Sequence, residues 1–319
     1  MTNSTTSGDT PNISGASTYS AHITEELRRY DEHLRDVRGL AAGTRKDRLR
    51  IIGRLLEDKY NHREIVFARM QPDDVRQFLA RRVASRQTAT NASQHATALR
   101  SYLRFRATCG DSVGKLTAVI QNPVHWKLAS LPRALKPDEI ERLLESFSTR
   151  HRWPKRCYAI IRCALDLGLR SGEIASLRIS DIDWRAGTVT LKGTKTLRQD
   201  ILPLPMETGQ ALADYLRHER PPSISPSVFV MHRGDHDRGM TAGAIRGVIR
   251  WAYRRIGLKH TRSHALRHAF ACRLVERGST LKEVADLLRH RSLNSTLIYA
   301  KLDTPKLAAV ALPWPGSAA

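Results

Sequence analysis

Across residues 21–129, and again from residue 135 onward, apolar residues return at three- and four-residue intervals, and only two short stretches replace that rhythm with β-formers. A chain patterned this way buries its apolar atoms by packing helices on helices. The exceptions, residues 187–191 and 200–202, predict one small antiparallel sheet. The expected fold class is therefore mainly α with a small antiparallel sheet.

The pattern divides the chain. Residues 1–20 are rich in Thr, Ser, Asn and Gly and are expected to be a disordered tail. Residues 21–129 predict a helical module. Its first helix covers 24–37. A second begins near Thr44, an N-cap residue, with Leu49, Ile52, Leu55 and Leu56 on one stripe and Lys46, Arg50 and Arg54 on another. A third opens with Pro72, Asp73 and Asp74, all favourable in a first turn. A fourth, 92–107, buries Leu99, Tyr102 and Leu103 and turns Arg100 and Arg104 outward. Asn122-Pro123 ends the module, and residues 130–134 read as a linker, since proline blocks helix continuation. Residues 135–319 form the expected second domain, with a C-terminal tail. Helices are expected at 137–144, 155–167, 171–177, 207–218, 241–256, 264–277 and 281–288, with a last one carrying Tyr299.

Charge narrows the partners. Lys and Arg number 53 against 31 Asp and Glu, a net charge of +22. Such a field attracts polyanions, double-stranded DNA first; repeated basic stripes make Lys46, Arg50, Arg54, Arg100 and Arg104 candidate phosphate contacts. The other reading of any one of them is ordinary solvated helix surface. No apolar run is long enough to span a bilayer and no apolar signal core opens the chain, so no membrane partner and a cytoplasmic location are expected. Four cysteines without a CxxC pair predict neither a zinc site nor a disulfide framework.

Four segments carry candidate chemistry. In the first, Arg170 lies between Gly168, a helix stop, and Ser171, an expected cap of the next helix. Held on both sides, its planar fork can grip two oxygens of one phosphate; the alternative is a surface arginine paired with Glu173. In the second, Lys192 precedes Gly193 at a strand end and could deliver a proton to a leaving oxygen, with Lys195 as alternate. In the third, His264, Arg267 and His268 share a helix face. An arginine between the two histidines, and no Glu after the first, favour phosphate binding over a metal site. In the fourth, His290 ends a helix and Tyr299 follows nine residues later, with Ser292 as an expected cap between them. A tyrosine becomes a nucleophile only with cations near its phenolate.

In this order the segments resemble the tyrosine recombinase (phage integrase) family, over about residues 21–301. The resemblance implies a two-domain fold, a helical core-binding domain followed by a mixed α+β catalytic domain. It implies a catalytic set of Arg170, Lys192, His264, Arg267, His290 and Tyr299. It also implies strand exchange through a 3′-phosphotyrosyl bond without a cofactor, by a homotetramer on two DNA sites, in integration or excision of a mobile element. One departure stands out: the family usually has glycine just before the histidine that corresponds to His290, and here it is Arg289. A non-catalytic DNA-binding protein and a type IB-like topoisomerase are the competing readings.

Overall fold

The computed structural model describes residues 19–84, 89–121, 134–147, 152–192, 199–258, 262–290 and 292–302. The chain divides into two compact units, Met1–Trp126 and Lys127–Ala319. Apart from Ala134, the expected linker lies outside the described residues, as does the expected tail at 1–18.

Among its described residues the first unit holds helices and no strand: α1 Ala21–Glu32, α2 Ala42–Tyr60, α3 Pro72–Ala84, α4 Ala89–Thr108 and the short α5 Gly114–Ala118. Leu49, Ile52, Leu55 and Leu56 of α2 meet Leu99, Tyr102 and Leu103 of α4 in one core with Ile23, Leu27 and Tyr30 of α1. The helix starts differ from expectation in instructive ways. The Ser20 hydroxyl caps α1 by accepting from Ile23 N–H, so the helix starts three residues before 24, and past Glu32 it widens into a π-helical turn, His33–Val37. The second helix starts at Ala42 rather than near Thr44, because Ala41 is the extended residue and buried Arg45 pins the first turn to Asp31 of α1 at 2.9 Å. Proline begins α3 as expected, with the Asp74 carboxylate accepting from Gln71 N–H at 2.8 Å.

The second unit contains α6 Pro137–Glu145, α7 Pro154–Asp166, α8 Ser171–Ser176, β1 Ile182–Asp183, β2 Thr188–Lys192, β3 Gln199–Pro203, α9 Met206–His218, α10 Ala242–Arg255, α11 Ala265–Glu276 and α12 Leu281–Leu287. Its centre is α7, where Ala159, Ile160, Ile161 and Cys163 are wholly buried because α8, α9, α10 and α11 surround the helix. The strands form one antiparallel sheet in the order β1-β2-β3, with Lys192 opposite Gln199 at its end. Helical predominance with a single small sheet is the expected class. The four cysteines are free. Among the described residues no helix is long and apolar enough to cross a membrane.

Two expected caps act otherwise. Ser171 is the first residue inside α8, and the cap is supplied by Glu173, whose carboxylate accepts from Arg170 N–H at 2.7 Å. Ser292 takes Asn294 N–H at 3.2 Å and so caps a 3-10 turn, Leu293–Ser295. Tyr299 sits on the following 3-10 turn, Leu297–Leu302, rather than on an α-helix.

Candidate active site

The site begins with a glycine. After α7 the chain reverses at Gly168, whose φ of +58° suits glycine. Space demands it too: a Cβ there would lie 2.6 Å from Phe270 Cδ1 and 3.0 Å from Leu288 Cδ2. This reversal presents the Gly168 carbonyl to Arg267 on α11. Arg267 is 5% exposed, and its two terminal nitrogens donate to the carbonyls of Gly168 and Leu288. Burial, then the Arg170 charge, pull its pKa down. A guanidinium nevertheless stays protonated in a protein, and the two carbonyls stabilise it there.

Arg170 follows at the start of α8. Its guanidinium donates to Glu173 Oε1 at 2.7 Å, so the expected pairing with Glu173 is present, on a residue anchored at the start of α8. The other carboxylate oxygen, Oε2, accepts from Arg289 at 2.9 Å and lies 3.9 Å from Arg267. Three guanidiniums thus gather on one carboxylate. Desolvation would raise the Glu173 pKa, but Arg289, the Arg170 N–H and the Arg170 charge together hold it below the ordinary carboxylate value. The cluster keeps an excess of positive charge, which an anion would neutralise.

The histidines border this cluster. His264 occupies the position just before α11. Packing around its ring, then the charges of Arg267, Arg170, Arg246 and Arg262, lower its pKa. His290 is pushed down to about 4 by burial and then by Arg267, Arg170 and Arg289. Its Nδ1 lies 2.7 Å from Thr296 Oγ1; with that hydroxyl as donor, the ring proton sits on Nε2 and can be offered to an oxygen.

Tyr299 is 2% exposed, packed among Ala271, Cys272, Val275, Val284 and Leu288. Its hydroxyl meets His268 Nδ1 at 2.7 Å. Burial raises the phenol pKa, while burial and then His264 push His268 down to about 4, so a neutral ring accepts from a protonated phenol. The nucleophile candidate is held and concealed in this state.

Lys192 stands apart: its ammonium binds buried Asp181 at 2.7 Å, and among the described residues no hydrogen bond or ion pair joins it to the guanidinium cluster. Lys195 lies outside the described residues. Sequence reasoning missed His268 as the partner of Tyr299, Glu173 as the hub of the cluster, and Arg246, whose guanidinium reaches Ser171 Oγ at 3.4 Å. Arg246, Arg250 and Arg254 are exposed on α10 at four-residue spacing, the same signal that marked Lys46, Arg50 and Arg54.

In the first unit the candidate phosphate contacts differ. Lys46 and Arg50 are exposed on α2, with Arg50 3.6 Å from Asp47, and Arg54 is half-buried. Arg104 is exposed on α4, whereas Arg100 donates to the Ile120 carbonyl at 2.6 Å and so helps hold its own unit together.

The model of the phage integrase family matches residues 133–305, which include all six candidate catalytic residues. The chain belongs to the phage integrase family. As a tyrosine recombinase it is 34% identical to y4rA of Sinorhizobium fredii, described as an integrase/recombinase, over 93% of this chain and 72% of that one. It is 28% identical to the tyrosine recombinase XerA of Pyrococcus furiosus over 73% of this chain and 77% of that one. The integrase-family fold is seen in a lambda integrase dimer bound to a core site, with a TM-score of 0.67 at 17% identity over 86% of this chain and 94% of that one. The Tn1549 transposon integrase in complex with transposon right end DNA gives 0.66 at 18% identity, over 89% and 99%.

Proposed function

We propose that this recombinase cleaves and rejoins double-stranded DNA through Tyr299, as a homotetramer on two DNA sites, in the integration and excision of a mobile element. One observation carries the reading. Arg170 and Arg267 come from separate elements yet meet on Glu173, beside the turn that bears His290 and the 3-10 turn that bears Tyr299.

A phosphodiester repels nucleophiles with its anionic oxygens and has a poor alkoxide leaving group. Arg170 and Arg267 grip the nonbridging oxygens, exchanging their resting acceptors for phosphate, and His290 Nε2–H donates a further hydrogen bond. Tyr299 Oη attacks phosphorus. The bond to the 5′ oxygen breaks, and Lys192 or Lys195 supplies the proton that oxygen takes. The product is a 3′-phosphotyrosyl bond and a free 5′-hydroxyl; attack by a 5′-hydroxyl reverses the step and needs no ATP. Guanidiniums balance the developing charge, so adduct formation is expected to persist in EDTA.

The phenol proton goes to His264 in the assembled site. The 2.7 Å contact favours a second reading in which His268 takes it. His264→Gln and His268→Gln separate the two by which one slows adduct formation more. The DNA complexes of the lambda and Tn1549 integrases support duplex DNA as the partner here, with Lys46, Arg50, Arg54 and Arg104 of the first unit, and Arg246 and Arg250 of α10, as phosphate contacts. The central test is Tyr299→Phe, expected to bind DNA and form no covalent adduct on a denaturing gel; an adduct at the wild-type level overturns the nucleophile assignment. Arg170→Ala, binding kept and adduct lost, separates an enzyme from a DNA-binding protein. Failure to relax a plasmid without the recombination site separates it from a topoisomerase.

A further inference from the structure

Arg289 stands where the family resemblance leads one to expect glycine, and its backbone has the φ that glycine favours, +53°. An arginine in that conformation is strained unless its side chain compensates. The side chain is 8% exposed and makes two contacts: one terminal nitrogen donates to the Leu287 carbonyl at 2.8 Å, the other to Glu173 Oε2 at 2.9 Å. Its Nε is buried with no hydrogen-bond partner among the described residues. A buried guanidinium on a strained backbone, with one donor unmet, is a poor arrangement for stability alone.

Its location gives it a use. The same turn supplies the Leu288 carbonyl to Arg267 and carries His290, while Glu173 caps α8 and holds Arg170. Arg289 therefore ties the turn that carries His290 to the start of α8 through one carboxylate. When Arg170 and Arg267 transfer to a phosphate, Glu173 would be left as an uncompensated anion beside it. A cation that remains on Oε2 cancels that repulsion and lets Arg170 leave Oε1.

We propose that Arg289 is a positioning residue for strand cleavage: it holds and neutralises Glu173 so that Arg170 is released to the scissile phosphate. The proposal rests on the recombinase reading. Its test first captures covalent adducts of the wild-type full chain on randomised duplexes, sequences them, and remakes the preferred site as a nicked suicide duplex. Wild type, Arg289→Gly, Glu173→Gln and the double variant are then compared in single-turnover adduct formation and in duplex binding. Arg289→Gly, which removes the strain, is expected to slow adduct formation roughly tenfold while its Kd stays within about twofold. Arg289→Lys restores part of the rate. In the Glu173→Gln background, which keeps a cap acceptor but no charge, Arg289→Gly has no further effect. A wild-type rate in Arg289→Gly, or a loss that persists beside Glu173→Gln, overturns the proposal. If the wild-type chain forms no adduct, the recombinase reading fails on its own. The same four proteins titrated with inorganic phosphate then decide: weaker binding in Arg289→Gly only while Glu173 is present supports the role, and equal affinity throughout overturns it.

Discussion

Gly168 shows how much one position can govern. Its left-handed backbone and the absent Cβ together let the carbonyl reach Arg267. Gly168→Ala is expected to destabilise the fold by about 1–3 kcal/mol, read as a lower urea midpoint at unchanged m-value. Because the Arg267 acceptor moves with it, adduct formation should fall as well. Tyr299→Phe keeps the ring in its apolar surroundings and deletes only the hydrogen bond to His268, a loss of about 1 kcal/mol that urea denaturation checks. Gly168 and Arg170 were legible in the sequence because a helix stop and a helix start are written locally. The Tyr299–His268 contact was not, since it joins residues 31 apart through packing that no local pattern records. Glu173 was visible only as a partner for Arg170; its hold on Arg289 spans 116 residues.

At the scale of elements, α11, which carries His268, and the turns that carry His290 and Tyr299 are where pH should act. Both imidazoles are held near 4 in the folded protein, below the ordinary histidine value of 6.5. Between those values the unfolded chain binds more protons than the folded one, so protons favour unfolding. Stability is expected to be full above about pH 6.5 and to fall as pH drops toward 4. Thermal melts across that window check it, and His268→Gln and His290→Gln should each flatten the slope. Element identity was legible wherever apolar spacing and a terminal signal agreed, as at Pro72, Pro137 and Thr241. It failed where tertiary contacts set the boundary. Arg45 and Asp31 move the start of α2, and docking onto α11 and α12 leaves the Tyr299 segment in 3-10 turns.

For the whole molecule the decisive quantity is charge. A net +22 should make the proposed duplex binding steeply salt-dependent, because each neutralised phosphate releases counterions. Replacing Lys46 and Arg50 together by Ala should reduce the slope of log K against log salt by about 2 without changing sequence preference. Replacing Arg100 should instead lower stability, because its guanidinium serves the Ile120 carbonyl. Titrations at several salt concentrations distinguish the two. The excess of cations and the helical class were readable from composition and spacing. Which arginines serve the fold and which face outward was not, since Arg45 and Arg48 share α2 with Arg50 yet bind Asp31 and Ser101.

The concealment of Tyr299 has a consequence if the protein cuts DNA as proposed. On the proposed reading, a solitary copy would scan DNA with its blade sheathed, since the phenol is both covered and protonated. Nicking would then wait on whatever draws the 297–302 turn out of its seat, and stray breaks would be avoided during the search rather than repaired after it.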